Sequence, residues 1–481
     1  MPDIRYVCLS DMHLGEESSL LTNLQPGSLE PDLSQASTVL ERLTGCLRHL
    51  IEGNRGPKKP TLILCGDTLE FALALDNQAA MAFERFIELT MHTGEPLFES
   101  IIYIPGNHDH HLWELARETQ YLNFIQRKAP GEYLPVPWHS TKLFIENEPY
   151  VPVRFLTGLV QRHEHFKDYV VAAAYPNLGL ITEDKRKCIV FHHGHFIESM
   201  YMLMSTLKTI LFPEHVIPDN VRDLEAENYA WIDFFWSTMG RSGEAGTDIE
   251  VIYHRMQDPD AFKRLLKTLA SSVAKKIGFP GVFDLVETEL LHQLLCILAD
   301  VAFALERNKD IGYLSADAEN GLKRYVGGPV KNQLLSECGG TLPSDITFVF
   351  GHTHKAYHED MPIPGFANNI HLCNTGGWVF EQPVLRPVIG GAVALLDENL
   401  DTVLLRMYNE EITNGVCSLE LFDVNAGSAQ PSLLHQHLAG LINSDDSLWG
   451  GFSETVANDL KMRSQLLAAQ QSQDLLTDTV S

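Results

Sequence analysis

Side chains that could bind metal ions are concentrated in a few short segments of the chain. Of the 21 histidines, nine fall in four segments that together span 20 residues. These segments are SDMHLG (10–15), GNHDHH (106–111), HHGH (192–195) and GHTH (351–354), and LCGDTLE adds the carboxylate of Asp67. Imidazole, carboxylate and amide oxygen without a thiolate are ligands that suit Mn, Fe, Zn or similar ions. The sequence therefore predicts a metal site.

The spacing within these segments favours two ions over one. Asp11 and His13 are two residues apart, and His352 and His354 repeat that spacing. Each pair can therefore turn toward a common centre beyond the end of a strand. Seven candidate ligands are too many for one tetrahedral ion, and they suit two ions that share a carboxylate. Two ions about 3.5–4 Å apart can activate a water molecule and hold the oxygens of a phosphoryl group during in-line displacement.

The predicted secondary structure places the segments at the ends of strands. The apolar runs of strand length that precede them are Ile4–Leu9, Leu62–Cys65, Ile101–Ile104, Cys188–Phe191 and Ile346–Phe350. Helical periodicity at Ser34–Glu52 and Gln78–Met91 separates the first three runs, and this alternation predicts an α/β sheet. Further strands are predicted at His371–Asn374, Val388–Leu396 and Thr402–Tyr408. Ligands of open α/β sheets bind at the carboxyl ends of strands, which is where the segments lie.

The stretch 196–345 is predicted to be mostly helical, with apolar periodicity in Phe196–Leu211, Val221–Met239, Asp260–Ile277 and Phe283–Asn308. It interrupts the α/β pattern between His193 and His352, so an inserted cap over the site is the best interpretation. The predicted domains are a core in two parts (1–195 and 346–410), the cap (196–345) and a C-terminal extension (411–481). Weak helical patterns occur in the extension at Leu433–Ile442 and Ser453–Gln470.

The ordered motifs DMH (11–13), GD (66–67), GNHD (106–109), HGH (193–195) and GHTH (351–354) resemble those of the calcineurin-like metallophosphoesterase superfamily. The resemblance covers about 1–195 and 346–409, and it does not extend to the helical insert or the tail. It implies an αββα fold, in which helices flank a β-sandwich. It also implies a phosphoesterase that hydrolyses a phosphomonoester, phosphodiester or pyrophosphate bond.

The resemblance also implies roles for individual residues. Asp11, His13 and His354 would bind one metal ion, Asn107, His193 and His352 would bind the other, and Asp67 would bridge both. A hydroxide between the two divalent ions, with Mn favoured over Fe, Zn or a mixed pair, would attack phosphorus. His108 would act as the general acid, and Glu70 would orient it. His192 and His195 remain alternatives to His193.

Departures from the motifs of the superfamily reduce the number of subfamilies that this chain resembles. Serine/threonine protein phosphatases resemble this chain less, because GDTLEFALA lacks their Arg and GNHD replaces GNHE. GDTLEF is similar to pyrophosphohydrolases that cleave UDP-2,3-diacylglucosamine, but those enzymes are shorter and usually have Arg at the position of His108. The resemblance therefore implies no particular substrate. The NTGGW turn (374–378) is interpreted as support for the site in preference to a phosphate contact.

The net charge of −27 disfavours nucleic acid as a partner, although a metal-dependent nuclease stays an alternative, as does a non-catalytic interaction module. A phosphate-ester small molecule is the expected substrate. The basic segment 261–278 could contact an anionic membrane surface, but a solvated helix is favoured. Likewise, the aromatic segment 227–239 is interpreted as the core of the cap in preference to a substrate pocket. Eight scattered cysteines, with no signal peptide and no spanning segment, favour a cytoplasmic protein.

Overall fold

The structure is a computed structural model, and it describes residues 1–91, 95–146, 148, 151–238, 312–425 and 430–478. Within these ranges two sheets stack face to face. The strands are β1 (Tyr6–Leu9), β2 (Thr61–Cys65), β3 (Ser100–Ile104), β4 (Val151–Pro152), β5 (Ala172–Ala173), β6 (Asn177–Ile181), β7 (Lys187–His192), β8 (Asp345–Phe350), β9 (Ala356–Met361), β10 (Ile370–Thr375), β11 (Gly390–Leu396), β12 (Thr402–Asn409), β13 (Ile412–Thr413), β14 (Val416–Cys417) and β15 (Glu420–Asp423).

The first sheet has the strand order β15-β12-β11-β1-β2-β3-β5-β4, and the second has the order β6-β7-β8-β10-β9. Strands β1, β2 and β3 are mutually parallel, as are β7, β8 and β10. The carboxyl ends of each parallel set therefore meet at one edge of their sheet. The polar segments predicted to form the site follow these ends.

The helices are α1 (Thr38–Glu52), α2 (Asp76–Thr90), α3 (His111–Gln126), α4 (Arg154–Gln161), α5 (Leu203–Leu211), α6 (Val221–Trp231), α7 (Ala316–Tyr325), α8 (Lys331–Glu337), α9 (Leu433–Ile442) and α10 (Asp446–Asp478). Short 3₁₀ turns occupy Glu164–Phe166, His195–Ile197 and Ser199–Met202. Helix α6 continues as the π-helix Ile232–Thr238, and α7 continues as a second π-helix, Val326–Val330.

Buried side chains in the described residues form three layers, as expected for an αββα arrangement. Side chains alternate between the two faces of a strand, so Val7 of β1 points to the helices outside the first sheet, whereas Cys8 points between the sheets. Phe191 and Val349 fill the space between the sheets from the other side. On the outer face of the second sheet, Phe348 belongs to a cluster with helices from 196–238 and 312–338. The predicted fold class is confirmed.

The predicted strands that carry the polar segments agree with the structure to within two residues. Helices α3 and α4, and strands β6 and β9, were not predicted. Helix α3 has few buried apolar residues and so lacks a clear helical stripe. The predicted helices Asp260–Ile277 and Phe283–Asn308, with the basic segment 261–278, lie outside the described residues.

The described ends of the predicted cap pack directly on the second sheet. Phe196, Trp236 and Tyr325 share a hydrophobic cluster with Val190 and Phe348, so these helices form the outermost layer of the sandwich. The domain boundaries at 196 and 345 stay a prediction. Across the described ranges, no helix combines the length and apolar character needed to cross a bilayer.

Candidate metal centre

Tight loops beyond the strand ends direct the predicted ligands toward one region. Beyond the ends of β1 and β2, the backbone N–H of His13 donates to the Asp67 carbonyl at 2.9 Å, and Trp378 N–H, beyond β10, donates to the Asp11 carbonyl at 2.9 Å. Positive φ angles, which non-glycine residues rarely adopt, occur at Asp11 (48°), His13 (43°), Asp67 (46°), His352 (69°) and His354 (56°). Strained backbone of this kind concentrates at functional sites. Its presence at five predicted ligands points to a functional arrangement of these loops.

Asp67 lies at the centre of the predicted ligands. Its Oδ2 is 3.1 Å from His193 Nε2 and 3.8 Å from His13 Nε2. Its Oδ1 accepts a hydrogen bond of 2.8 Å from the backbone N–H of His108. One carboxylate therefore faces ligand candidates from two different sheets, which is the position that a bridging ligand requires.

The ligand candidates fall into two buried groups, and Asp67 belongs to one of them and faces the other. In the group of Asp11, His13 and His354, one ligand atom from each residue lies within 4.8 Å of the others. The group of Asp67, His193 and His352 meets the same limit. The amide oxygen of Asn107 is 2.9 Å from His193 Nε2 and thus adjoins the second group.

Neighbouring groups fix the orientation of the histidine rings. His193 Nδ1 is 3.3 Å from the Cys65 carbonyl, which directs Nε2 toward Asp67. His352 Nδ1 is 3.2 Å from His193 Nε2, and its other nitrogen is 2.8 Å from the Glu198 carboxylate. A ring nitrogen held by a carboxylate makes the opposite nitrogen a better metal ligand. Nothing in the sequence pattern marked Glu198, which comes close to His352 only because the chain turns back after β7.

Glu70 joins the candidate general acid to the candidate metal ligands. Its carboxylate is 2.8 Å from His108 Nδ1 and 2.7 Å from His13 Nδ1. The backbone N–H groups of Ala72 and Leu73 also donate to Glu70, at 2.7 and 2.9 Å. Glu70 is therefore fully engaged and contacts two histidines. The family resemblance implied its contact with His108, and neither the resemblance nor the sequence implied its contact with His13.

The two alternatives to His193 point elsewhere. His192 Nδ1 accepts a hydrogen bond from Gly194 N–H at 2.8 Å, and its ring lies 4.6 Å from that of Tyr325. The ring of His195 packs 4.4 Å from Phe196. Both rings belong to an aromatic cluster beneath the second sheet's helices, whereas His193 faces Asp67.

A family model described as calcineurin-like phosphoesterase matches residues 4–269 of the chain, which is more than half of its length. The chain belongs to the calcineurin-like phosphoesterase family. The match includes the first four motifs and ends inside the insert, so the GHTH segment lies beyond it. None of the curated proteins matches the chain. Membership in this phosphoesterase family supports metal-dependent hydrolysis of a phosphoester.

The donor set of this calcineurin-like phosphoesterase fits divalent metal ions. His13 Nε2 is buried and has no hydrogen-bond partner among the described residues, although it faces Asp67. A buried polar atom without a partner is costly. A cation bound between His13 and Asp67 would remove that cost. The residues that would hold the ions supply imidazole nitrogen and carboxylate or amide oxygen, the ligands preferred by Mn, Fe and Zn.

Charge in the site also favours cations. Burial would raise the pKa of Asp67 and of Glu70, but the adjacent histidines outweigh it. They lower the pKa of Asp67 well below its usual value and that of Glu70 to about 2. Burial would lower the pKa of His13, yet the contacts with Glu70 and Asp67 raise it to about 10. The site thus holds ionised carboxylates that attract positive charge, in the form of either protons or metal ions.

Two aromatic residues of the insert adjoin the site. The ring of Tyr201 lies 5.0 Å from His352, and Trp236, on the π-helix, lies 5.2 Å from Tyr201 and 6.3 Å from His108. Asp233, from the same π-helix, is 3.4 Å from His110 and 3.3 Å from His111. The described part of the aromatic segment, 227–238, therefore contributes both to the core and to the surroundings of His108. The sequence favoured a role in the core of the cap, with a substrate pocket as the alternative, and it did not indicate the contact with His108.

Three glycines allow the ligand loops to approach one another. A Cβ atom at Gly106 would lie 2.1 Å from Asp67 Oδ1, and one at Gly66 would lie 2.3 Å from His193 Nδ1. A Cβ at Gly351 would lie 2.0 Å from Asp11 Oδ2. Real Cβ atoms do not approach other atoms so closely. A side chain at any of these positions must therefore displace a candidate ligand.

We expect Gly351→Ala to lower phosphoesterase activity about 100-fold, since a displacement of about 1 Å in a catalytic site has an effect of that size. Gly158→Ala is the matched control, because a Cβ at Gly158 on helix α4 meets no atom within 4 Å. Activity and bound metal would be measured for both variants after circular dichroism has established that they are folded. Full activity of Gly351→Ala would show that Asp11 tolerates displacement and would contradict its assignment as a ligand.

Proposed function

We propose that this protein hydrolyses a phosphomonoester, phosphodiester or pyrophosphate bond of a small molecule at a site for two divalent metal ions. The observation that carries the proposal is the position of Asp67 between two groups of buried histidine and carboxylate ligands. Asp11, His13 and His354 would hold one ion, Asn107, His193 and His352 the other, and Asp67 both. The ions would supply Lewis acidity and a water activated for attack on phosphorus.

The chain's own residues would then orient the substrate and provide a proton. His108 is held by Glu70 through Nδ1 and by the contact of its backbone N–H with Asp67. Both restraints keep the ring beside the candidate metal ligands, so we propose that it protonates the leaving oxygen. The side chains of the site are buried, which excludes bulk water from the reacting group and strengthens electrostatic interactions there.

The proposal is tested by removing and restoring metal ions. The full-length protein would be stripped with a chelator, reloaded with Mn²⁺, Zn²⁺ or Fe²⁺, and assayed with p-nitrophenyl phosphate and bis(p-nitrophenyl) phosphate. We expect stripping to abolish hydrolysis and Mn²⁺ to restore it, with about two ions bound per chain. The ratio of the two rates would distinguish a monoesterase from a diesterase.

His165→Gln provides a control for adventitious metal binding in this assay, because His165 is exposed on a 3₁₀ turn. It should bind and respond to metal as the wild type does. A protein that binds no metal and hydrolyses none of the esters would instead be a non-catalytic module, and the proposal would be wrong. Cleavage of labelled duplex DNA in preference to both small esters would favour the nuclease alternative.

A further inference from the structure

A second group of potential metal ligands lies on the edge of the second sheet. His358 and Asp360 are on the edge strand β9, and His371 is on the adjacent strand β10, directly opposite Asp360. Because side chains two residues apart share a face of a strand, all three project from the same face. On the same strand, Asn374 contacts the GHTH loop. His371 lies three residues before Asn374, a distance of about 10 Å along the strand. The group therefore shares no residue with the phosphoesterase site.

The distances within this group suit a single small ion. His371 Nδ1 is 2.6 Å from Asp360 Oδ1, and His358 Nε2 is 3.7 Å from the same oxygen. One ligand atom from each of the three residues lies within 4.8 Å of the others. Ligands bonded to Zn²⁺ at about 2.0–2.2 Å are separated from one another by about 3–4 Å. Small side-chain rotations would therefore bring all three onto one ion.

A fourth residue, Asp345 at the start of β8, completes the arrangement. Its carboxylate is 3.4 Å from His371 Nε2, the nitrogen opposite the one that faces Asp360. Histidines that bind metals usually donate their other N–H to a carboxylate, which fixes the tautomer and orients the ring. The His371 ring thus lies between two carboxylates. Asp345 is beside its Nε2, and Asp360, the other candidate ligand, is beside its Nδ1.

His358 favours the interpretation of this group as a metal site over its interpretation as a simple ion pair. A protonated His371 between Asp345 and Asp360 would account for those three residues, but it gives no role to His358. The Nε2 of His358 is buried and has no hydrogen-bond partner in the part of the chain that the structure describes. A partnerless buried nitrogen aimed at a carboxylate is expected where an ion binds.

We propose that His358, Asp360 and His371 form a second metal site that binds Zn²⁺ or a chemically similar transition-metal ion. Two imidazoles and one carboxylate favour such an ion over Mg²⁺ or Ca²⁺, which prefer oxygen ligands. Asp360 is half-exposed, so water can reach the remaining coordination position. Asp345 acts as a positioning residue for His371. The ion would link the edge strand β9 to β10.

The test counts Zn²⁺ ions on the full-length protein by mass spectrometry after equilibrium dialysis over a range of Zn²⁺ concentrations. We expect His358→Gln to bind one ion fewer per chain than the wild type, whereas the control His165→Gln binds the same number. Asp345→Asn should retain the site with an affinity lowered about 10- to 100-fold. His358→Gln should keep the phosphoesterase activity, which separates this site from the catalytic one.

Equal Zn²⁺ stoichiometry and affinity in the wild type and in His358→Gln would overturn the proposal. Should His358→Gln prove unstable, Asp360→Asn removes a ligand charge at a half-exposed position, and it should also lose one ion. A second readout is the unfolding temperature. Zn²⁺ should raise it for a wild type already saturated with Mn²⁺, since binding to the folded state stabilises it, and should raise it less for either variant.

Discussion

Replacing His108 with Asn should lower kcat for an unactivated alkyl phosphate ester by about 10²- to 10⁴-fold, the usual contribution of a general acid. The effect should be much smaller with p-nitrophenyl phosphate, because p-nitrophenolate leaves without needing a proton. His108 contacts Glu70 at 2.8 Å and adjoins Asp67 through its backbone. The substitution therefore removes the proposed proton donor while the candidate metal ligands stay in place.

The neighbouring carboxylate gives a matched comparison. Glu70 contacts His13 at 2.7 Å as well as His108, so Glu70→Gln should reduce metal affinity and activity together. His108→Asn should reduce activity with its metal content unchanged. Both variants would be assayed on the two classes of ester, and bound metal would be measured on the same samples. A loss by His108→Asn that is equal for the alkyl and p-nitrophenyl esters would contradict a role as general acid.

The parts of the site that could be predicted from the sequence follow strands directly. Every strand of the parallel sets except β10 is an apolar run that ends in a ligand motif. Chain order alone therefore placed Asp11 and Asp67 at one edge of the first sheet and His352 at one edge of the second. The left-handed backbone at these residues and the nearby glycines are local features that accompany such turns. Such short-range features do not depend on how distant parts of the chain pack together.

Contacts that depend on tertiary packing could not be predicted. Glu198 reaches His352 across a turn after β7, and Trp236 approaches His108 only because the π-helix packs back onto the core. The register of β9 against β10, which sets His371 opposite Asp360, is not encoded in a recognisable motif. The strand β9 itself, AYHEDM, is too polar to stand out as a strand. Long-range pairing of this kind required the structure.

The C-terminal extension provides the second prediction of large effect. Helix α10 belongs to the same hydrophobic cluster as the first sheet and helix α1, although its hydrophobic pattern in the sequence is weak. Its buried side chains include Trp449, Phe452, Val456 and Leu460. Each contributes about 1.5–3 kcal/mol when buried, and together they are comparable to the entire stability of a typical domain, about 5–15 kcal/mol.

A chain that ends at Asp445 should therefore fail to fold into a soluble protein. A chain that ends at Gln470 is the control, because it retains all four of these side chains, and it should unfold at the temperature of the full-length protein. Solubility on expression and thermal unfolding followed by circular dichroism would compare the two. A soluble, cooperatively folded chain ending at Asp445 would show that the extension is dispensable and would support a domain boundary near 411.

A single residue of the same helix connects the tail to the metal centre. Arg463 is buried, forms an ion pair of 2.7 Å with Asp459, and donates hydrogen bonds to the carbonyls of Glu17 and Thr22. The loop that it holds contains Ser19, whose hydroxyl donates to the Met12 carbonyl at 2.7 Å, between Asp11 and His13.

Arg463→Met keeps an unbranched apolar side chain similar to the arginine stem and removes the guanidinium with these hydrogen bonds, so it should lower the free energy of unfolding by about 1–3 kcal/mol. Because the loop supports the first two candidate ligands, metal affinity should fall as well. Met462→Ala, at the exposed neighbouring position, is the control and should change neither quantity appreciably. Loss of stability without any loss of metal affinity in Arg463→Met would show that the loop holds its conformation without the tail. The helix would then contribute to the core alone.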